Sequence, residues 1–214
     1  MHMKTPPRIQ ALLSSAIRCS PGALALFSAA SLHADVLVSY DMQNSGGRTN
    51  ASSADGGLTA TSLIGNNLNA GSPSTVTIGT ATTNFYTAWA FIGSGGSTAA
   101  NAITSGDYFK LTLTPTAGNS ITVSSLSFDV FAATAGPSAR QLYIFSDKTG
   151  IAGGSELFTG STVSGSPLIP YNTAAAGQNF SIDLSGYGAL ANITDSVTFR
   201  FYTQTPSAAQ SLAL

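Results

Sequence analysis

Charge is scarce in this 214-residue chain. Lys, Arg, Asp and Glu make up 8% of it, where about 25% is usual for a soluble domain. No run of Lys and Arg is present, and recognition of nucleic acid or of an anionic membrane needs clustered cations. Cysteine occurs once, at Cys19, so no disulfide closes within the chain and its stability must come from packing. Histidine occurs twice, at His2 and His33. No segment after residue 35 carries the 3.6-residue periodicity of a long amphipathic helix. The surface is left to Ser, Thr, Asn and Gly, hydrated but weakly charged.

What the chain does have begins at its N-terminus. Lys4 and Arg8 give a positive start, an apolar stretch follows that is strongest over residues 23–32 (ALALFSAASL), and Leu32-His33-Ala34 offers a small residue at a cleavage point. Positive start, apolar run and small-residue cut are the order of a secretory signal. The apolar run is shorter than the roughly 20 residues a membrane-spanning helix needs, and Arg18 and Pro21 interrupt it. Residues 1–34 are therefore expected to be a signal peptide, and residues 35–214 a single secreted or cell-surface domain. The Arg18 that precedes Cys19 does not suit a lipoprotein cleavage box.

Removing residues 1–34 removes Cys19, both histidines and three basic residues. Five basic residues remain (Arg48, Lys110, Arg140, Lys148 and Arg200) against nine acidic ones, a net charge of −4. Such a domain cannot build a Ser-His-Asp triad, a Cys-His pair or a His-ligated zinc site. Carboxylates, Tyr, Lys, Arg and hydroxyls are what remain for chemistry.

The rest of the chain reads as strands and turns: short apolar or alternating runs broken by Gly, Pro, Asn and Ser. Strands are expected over residues 36–42, 58–64, 74–78, 84–92, 108–114, 121–131, 140–146, 156–159, 180–184 and 197–202, with the start of another at 211–214, and a single helical turn over 184–190. In "YFKLTLT" Phe109, Leu111 and Leu113 share a face, and in "VTFRFY" Val197, Phe199 and Phe201 do. The pair 108–114 and 121–131 is expected to form an antiparallel hairpin around Pro115–Asn119. Within its second strand the apolar parity changes, from Ile121 and Val123 to Leu126, Phe128 and Val130, which places a bulge or a change of facing at Ser124-Ser125. About ten short strands at this spacing predict an all-β, antiparallel two-sheet β-sandwich of jelly-roll type.

Five segments in this order carry a resemblance: "HADVLVSYDM", "YFKLTLTPTAGNSITVSSLSFDV", "RQLYIFSD", "FSIDLSGYGAL" and "VTFRFYTQT". The chain resembles exported PEP-CTERM-type β-sandwich proteins of Verrucomicrobia and related bacteria. The lack of cysteine in the mature part is in keeping with a bacterial exported protein. The resemblance implies a fold and a compartment rather than an activity. It also implies a last strand and a C-terminal sorting tail after "LAL", and the sequence in hand contains neither, so the domain is expected to lack its final strand.

Candidate site residues fall into three groups. Glycoside cleavage needs two facing carboxylates. Glu156 is the only Glu, Asp41, Asp55, Asp107, Asp147 and Asp195 sit where Asp caps turns, and Asp129 and Asp183 lie inside strands opposite the apolar face. Asp41 and Asn44, near the end of the first strand, are candidate ligands for a structural calcium ion, set against an ordinary Asx-type turn there. Tyr86, Trp89 and Tyr108 are candidate sugar-stacking aromatics. In "NFYTAWAFI" Trp89 shares its parity with Phe85 and Phe91, the pattern of a core face. Gly93-Ser94-Gly95-Gly96 lacks the strand-to-helix context of a phosphate loop. These residues favour a secreted, non-enzymatic protein with a structural or carbohydrate- or matrix-binding role and an extracellular polysaccharide as partner. A carboxylate-dependent glycan hydrolase or lyase is the rival. Nucleic acid is not expected as a partner, nor is a membrane span in the mature chain.

Overall fold

In the computed structural model the described residues are 9–13, 35–40, 51, 53–66, 74–78, 81–85, 87–88, 98–132, 139–163, 167–170, 178–204 and 212–213. Among them the strands are β1 (Ile9–Leu13), β2 (Asp35–Tyr40), β3 (Ser53–Ala54), β4 (Leu58–Ala60), β5 (Ile64–Asn66), β6 (Ser74–Ile78), β7 (Ala81–Phe85), β8 (Thr87–Ala88), β9 (Tyr108–Pro115), β10 (Ser125–Ala132), β11 (Gln141–Ser146), β12 (Phe158–Ser161), β13 (Gln178–Asp183), β14 (Val197–Gln204) and β15 (Leu212–Ala213). One helix, α1 (Ala99–Ser105), and a 3-10 turn, Gly188–Leu190, complete the described elements.

The strands pair antiparallel into two main sheets. The first runs β3-β2-β1-β10-β15-β8, with β13 also on β10; the second runs β12-β11-β14-β9-β4, with β5 also on β9; β6 and β7 pair with each other. The fold is all-β, as the alternation predicts. Period-2 patterning gives each strand of the second sheet one buried face: Phe109, Leu111 and Leu113 in β9, and Val197, Phe199 and Phe201 in β14, are at most 2% exposed. β9 and β14 pair directly, setting Leu111 opposite Phe199 and Phe109 opposite Phe201.

The expected hairpin of residues 108–131 does not form. β9 lies in the second sheet and β10 in the first, so the segment between them crosses from one sheet to the other. The change of parity at Ser124-Ser125 is the trace of that crossing. Ile121 and Val123 are buried as part of a connector that pairs with residues 190–193, through Ile121 N–H to Ile193 O at 2.9 Å and Val123 N–H to Leu190 O at 2.9 Å. From Leu126 onward the even residues turn inward, with Leu126, Phe128 and Val130 all buried. A strand that changes sheets must change which side it buries, and the sequence pattern carries that requirement.

Other expected strands are shifted or divided. In place of the strand expected at 58–64 stand two short ones, β4 over residues 58–60 and β5 over residues 64–66, both against β9. The strand expected at 156–159 starts at Phe158. Of the strand expected at 84–92, residues 86 and 89–92 lie outside the described residues, as do the Gly-rich loop at 93–97 and the strand end at 41–42. The segment expected to leave with export contributes β1, which lies between β2 and β10.

α1 was not expected. Thr98 caps it, its side chain accepting from Asn101 N–H at 3.2 Å, and Gly106 ends it in the left-handed conformation at φ 71°, which glycine adopts without steric cost. Seven residues are too few for helical periodicity to stand out. The helix buries Ala102 against Tyr143, Phe145 and Tyr202, so the outer face of the second sheet is covered as well as the inner.

Between the sheets an aromatic cluster closes the core. Phe128 of β10 meets Phe158 of β12 edge-on, with ring centroids 5.0 Å apart, and Phe201 of β14 at 6.2 Å. Phe180 of β13 lies 5.8 Å from Phe128 and 5.3 Å from Phe158. Phe128 is fully buried, and with no disulfide available these contacts carry the joining of the sheets. Tyr40 of β2 adds a polar tie: it is fully buried, and its hydroxyl donates to the carbonyl of Thr61, between β4 and β5. Burial pushes the Tyr40 hydroxyl up to about 12.

Two outcomes follow. Phe128→Ala should lower unfolding free energy by about 3–5 kcal/mol, the usual cost of emptying a buried aromatic site, measured by urea denaturation. Tyr40 ionises at about 12 in the fold and near 10 when unfolded. The folded state thus holds the proton more tightly, and its stabilisation is complete below pH 10 and lost as pH rises from 10 to 12. Tyr40→Phe should remove this tyrosine's share of the alkaline loss, seen as a flatter plot of thermal midpoint against pH over that window.

Candidate functional site

Two loops at one end of the sandwich build an open cleft of about 490 Å³, lined by Lys148, Thr149, Gly154, Ser155 and Glu156 on one side and by Gly186, Tyr187, Gly188 and Ala189 on the other. The first loop joins β11 to β12. Its turn is closed by Thr149 N–H and Gly150 N–H to Ser146 O, at 3.3 and 3.0 Å, and by Lys148 N–H to Ser146 Oγ at 3.2 Å. Ser155 Oγ fixes the return, donating to Gly150 O and Ala152 O and accepting from Ala152 N–H. Both carboxylate oxygens of Glu156 accept from Gly154 N–H, at 3.1 and 2.9 Å, which orients the carboxylate at the cleft wall. Gly154 stands at φ 94° to make that turn.

The second loop follows β13. Asp183 Oδ1 accepts from Ser185 N–H at 2.9 Å, an Asx-type turn, and hydrogen bonding from the Ser185 side chain first, and then from its backbone N–H, holds the Asp183 carboxyl below the usual carboxylate range. Tyr187 N–H then bonds to Leu184 O at 3.0 Å, and Tyr187 O accepts from Leu190 N–H at 2.8 Å. Leu184 and Leu190 are both 1% exposed. With an apolar anchor on either side, the apex between them is lifted outward, and Tyr187 is left 38% exposed between two glycines.

The two loops are tied by charge and by backbone. Lys148 Nζ lies 2.7 Å from Asp195 Oδ2, and the hydrogen bond from Lys148 holds the Asp195 carboxyl below its usual range. Asp147 Oδ1 accepts from Thr198 N–H at 2.8 Å. Behind the cleft, Tyr143 is buried and donates its hydroxyl to Gln141 Oε1. Burial first, and then the negative charge of Glu156, push its hydroxyl up.

Tyr86, Trp89, Asp41 and Asn44 lie outside the described residues. Tyr108, in β9, is half-buried. Its ring packs tilted on Tyr202 with centroids 4.9 Å apart, and the Arg200 guanidinium carbon sits 5.0 Å from its centroid. One face of Tyr108 is thereby occupied by a cation and an edge by an aromatic, under the flank of α1, so it serves the packing of that face. Asp129 accepts from Asn179 Nδ2 across the β10–β13 pair at 3.0 Å. Among the described residues no group of three or more His, Cys, Asp or Glu is placed to hold a metal ion, and no helix is long and apolar enough to cross a membrane.

No local spacing links Tyr187 with Lys148 and Glu156, since 38 residues separate Lys148 from Gly186 at the start of the second loop. A signal for Tyr187 was nevertheless present: in "SGYGAL" an aromatic stands between glycines, with no side chain beside it to cover the ring. Compared with known proteins, the chain matches no family model, no curated protein and no solved structure.

The proximity of Glu156 to Tyr143 has a direct readout. Glu156→Gln should lower the alkaline titration of Tyr143 while leaving the part due to burial. The shift is read at 295 nm as the difference between Glu156→Gln and wild type, with Tyr143→Phe to identify the contributing ring.

Proposed function

We propose that this is a secreted, non-enzymatic β-sandwich protein that binds an extracellular polysaccharide through the cleft between residues 148–156 and 186–189. The observation that carries the reading is the exposed Tyr187 ring set opposite a fixed carboxylate, Glu156, and the Lys148 ammonium. An aromatic face receives the CH groups of a sugar ring, a carboxylate accepts from vicinal hydroxyls, and an ammonium donates to them. Low overall charge suits a neutral ligand. The N-terminal signal pattern and the resemblance to exported PEP-CTERM-type proteins support location outside the cell. The passage of the chain from sheet to sheet after β9 supports a jelly-roll path for the sandwich.

A two-carboxylate glycosidase needs a second acid across the bond. Among the described lining residues of the cleft, Glu156 is the sole carboxylate, which favours binding over hydrolysis.

Binding should be measured by calorimetry against neutral bacterial and plant polysaccharides. Tyr187→Ala should weaken binding about 3- to 10-fold, the worth of one aromatic stacking contact. Because the ring is exposed, the variant's thermal midpoint should stay close to wild type. Binding that survives Tyr187→Ala combined with Glu156→Gln unchanged would remove the cleft from consideration.

A further inference from the structure

Lys110 of β9 and Arg200 of β14 stand directly opposite each other on the outer face of the second sheet. Their register is the closer of the two that an antiparallel pair offers. Thr112 directs its backbone groups away from β14: its N–H donates to Thr61 Oγ1 at 3.0 Å and its carbonyl accepts from Thr61 N–H at 2.9 Å. Thr112 and Thr198 are therefore a non-hydrogen-bonded pair. Lys110 and Arg200, two residues along each strand, are another, and such pairs hold their Cα atoms about 4.5 Å apart.

Like charges set directly opposite each other destabilise a sheet. These two are drawn from only five basic residues after residue 34. Among the described residues no carboxylate lies within ion-pair distance of either. Asp147 is near enough to act on Arg200 through space, but its Oδ1 accepts from Thr198 N–H at 2.8 Å. The Arg200 guanidinium leans on the Tyr108 ring, and its Nη1 donates to the Tyr202 hydroxyl at 3.5 Å. Its Nε is shielded from solvent and has no hydrogen-bond partner among the described residues. The fork is thus held in place with donor capacity left over.

The same face continues as hydroxyls. Thr112 and Thr198 have their Oγ1 atoms 2.9 Å apart, and Thr114 stands opposite Thr59 further along β9. α1 covers this face at Tyr143, Phe145 and Tyr202. Beyond the helix Lys110, Arg200, Thr112 and Thr198 are part-exposed, and Thr59 and Thr114 are exposed. Two cations leading into four threonine hydroxyls match an acidic sugar, with its anionic group over the cations and its hydroxyls over the threonines. Two cations are too few to hold a nucleic acid or an anionic membrane.

We propose that the outer face of β9 and β14 is a second binding site, for an acidic saccharide whose carboxylate or sulfate bridges Lys110 and Arg200 while its hydroxyls meet Thr112 and Thr198. The bound anion offsets the repulsion that the two facing cations carry alone. This site is apart from the cleft and does not rest on it: the cleft takes a neutral sugar by stacking, and the face takes charge.

The test is calorimetry of the full chain with an oligogalacturonate, its methyl ester and a sulfated galactan oligomer of the same length. At least one acidic probe should bind, and the one that does names the group. The methyl ester should bind about tenfold more weakly, for want of a charge-assisted bond, and affinity for the acidic probe should fall as salt is raised. Lys110→Gln and Arg200→Lys should each weaken binding about 3- to 10-fold, the second because lysine lacks the planar fork. Lys110→Gln should also raise the thermal midpoint of the free protein, since it removes one of two facing charges, and should shrink the rise that the acidic probe gives to wild type. A lysine that only packs against the sheet would show no such gain without ligand and loss with it. The proposal is overturned if neither acidic probe binds, if the methyl ester binds as tightly, if both variants bind as wild type does, or if a short DNA oligomer binds as tightly as the acidic sugar. Tyr187→Ala combined with Glu156→Gln should leave affinity for the acidic probe unchanged; its loss would move that ligand to the cleft and overturn the proposal. Neutral polysaccharide is read at the cleft and acidic probe at the face, so failure of one is distinguishable from failure of the other.

Discussion

The meeting of Phe128 with Phe158 and Phe201 across the gap between the sheets is the contact on which the rest depends. The chain has no intrachain disulfide, and the ion pair Lys148–Asp195 sits at the surface, where such pairs contribute little. Apolar burial between two antiparallel sheets is what remains. The four phenylalanines come from β10, β12, β13 and β14, so a single cluster fixes both sheets at once. Tyr40 repeats the arrangement with a hydrogen bond in place of a ring contact, reaching from β2 to the Thr61 carbonyl.

The cleft inherits its shape from this core. β11 and β14 are neighbours in the second sheet, with Phe145 opposite Arg200 and Ser146 opposite Phe199. The loop leaving β11 and the segment entering β14 therefore emerge side by side. Asp147 locks them through Thr198 N–H, and Lys148 through Asp195. Leu184 and Leu190 reach into the same core and set the height of Tyr187 above it. The rigid part of the molecule thus places an aromatic, a carboxylate and an ammonium around one opening, as expected of sites carried on loops over a scaffold.

Much of the strand pattern was legible in the sequence, because one-sided burial imposes alternation. Residues 109, 111 and 113, and residues 197, 199 and 201, bury as their parity requires. The pairing was less legible. β9 and β10 are adjacent in sequence and separated by a turn, which favours a hairpin on local grounds, yet long-range pairing with β14 and β13 prevails. The parity change at Ser124-Ser125 was visible but admitted two meanings, a bulge within one sheet or a passage between two, and only the positions of Ile193 and Leu190 separate them. α1 was hidden by its length, although Thr98 and Gly106 mark its two ends. The cleft was the least legible part, because it joins residues distant in sequence and its chief aromatic sits in a turn rather than a strand. The aromatics that the pattern did bring forward include Tyr108, which the fold spends on Tyr202 and Arg200.

The proposed site for the neutral ligand is the loop end of the sandwich and not a sheet face. The most direct measurement is an amide chemical-shift titration of the labelled protein with a soluble oligosaccharide of the bound polysaccharide. Shifts should concentrate at Lys148–Glu156 and Gly186–Ala189, with β9 and β14 unmoved. Shifts spread along a sheet face, with those two loops silent, would contradict it.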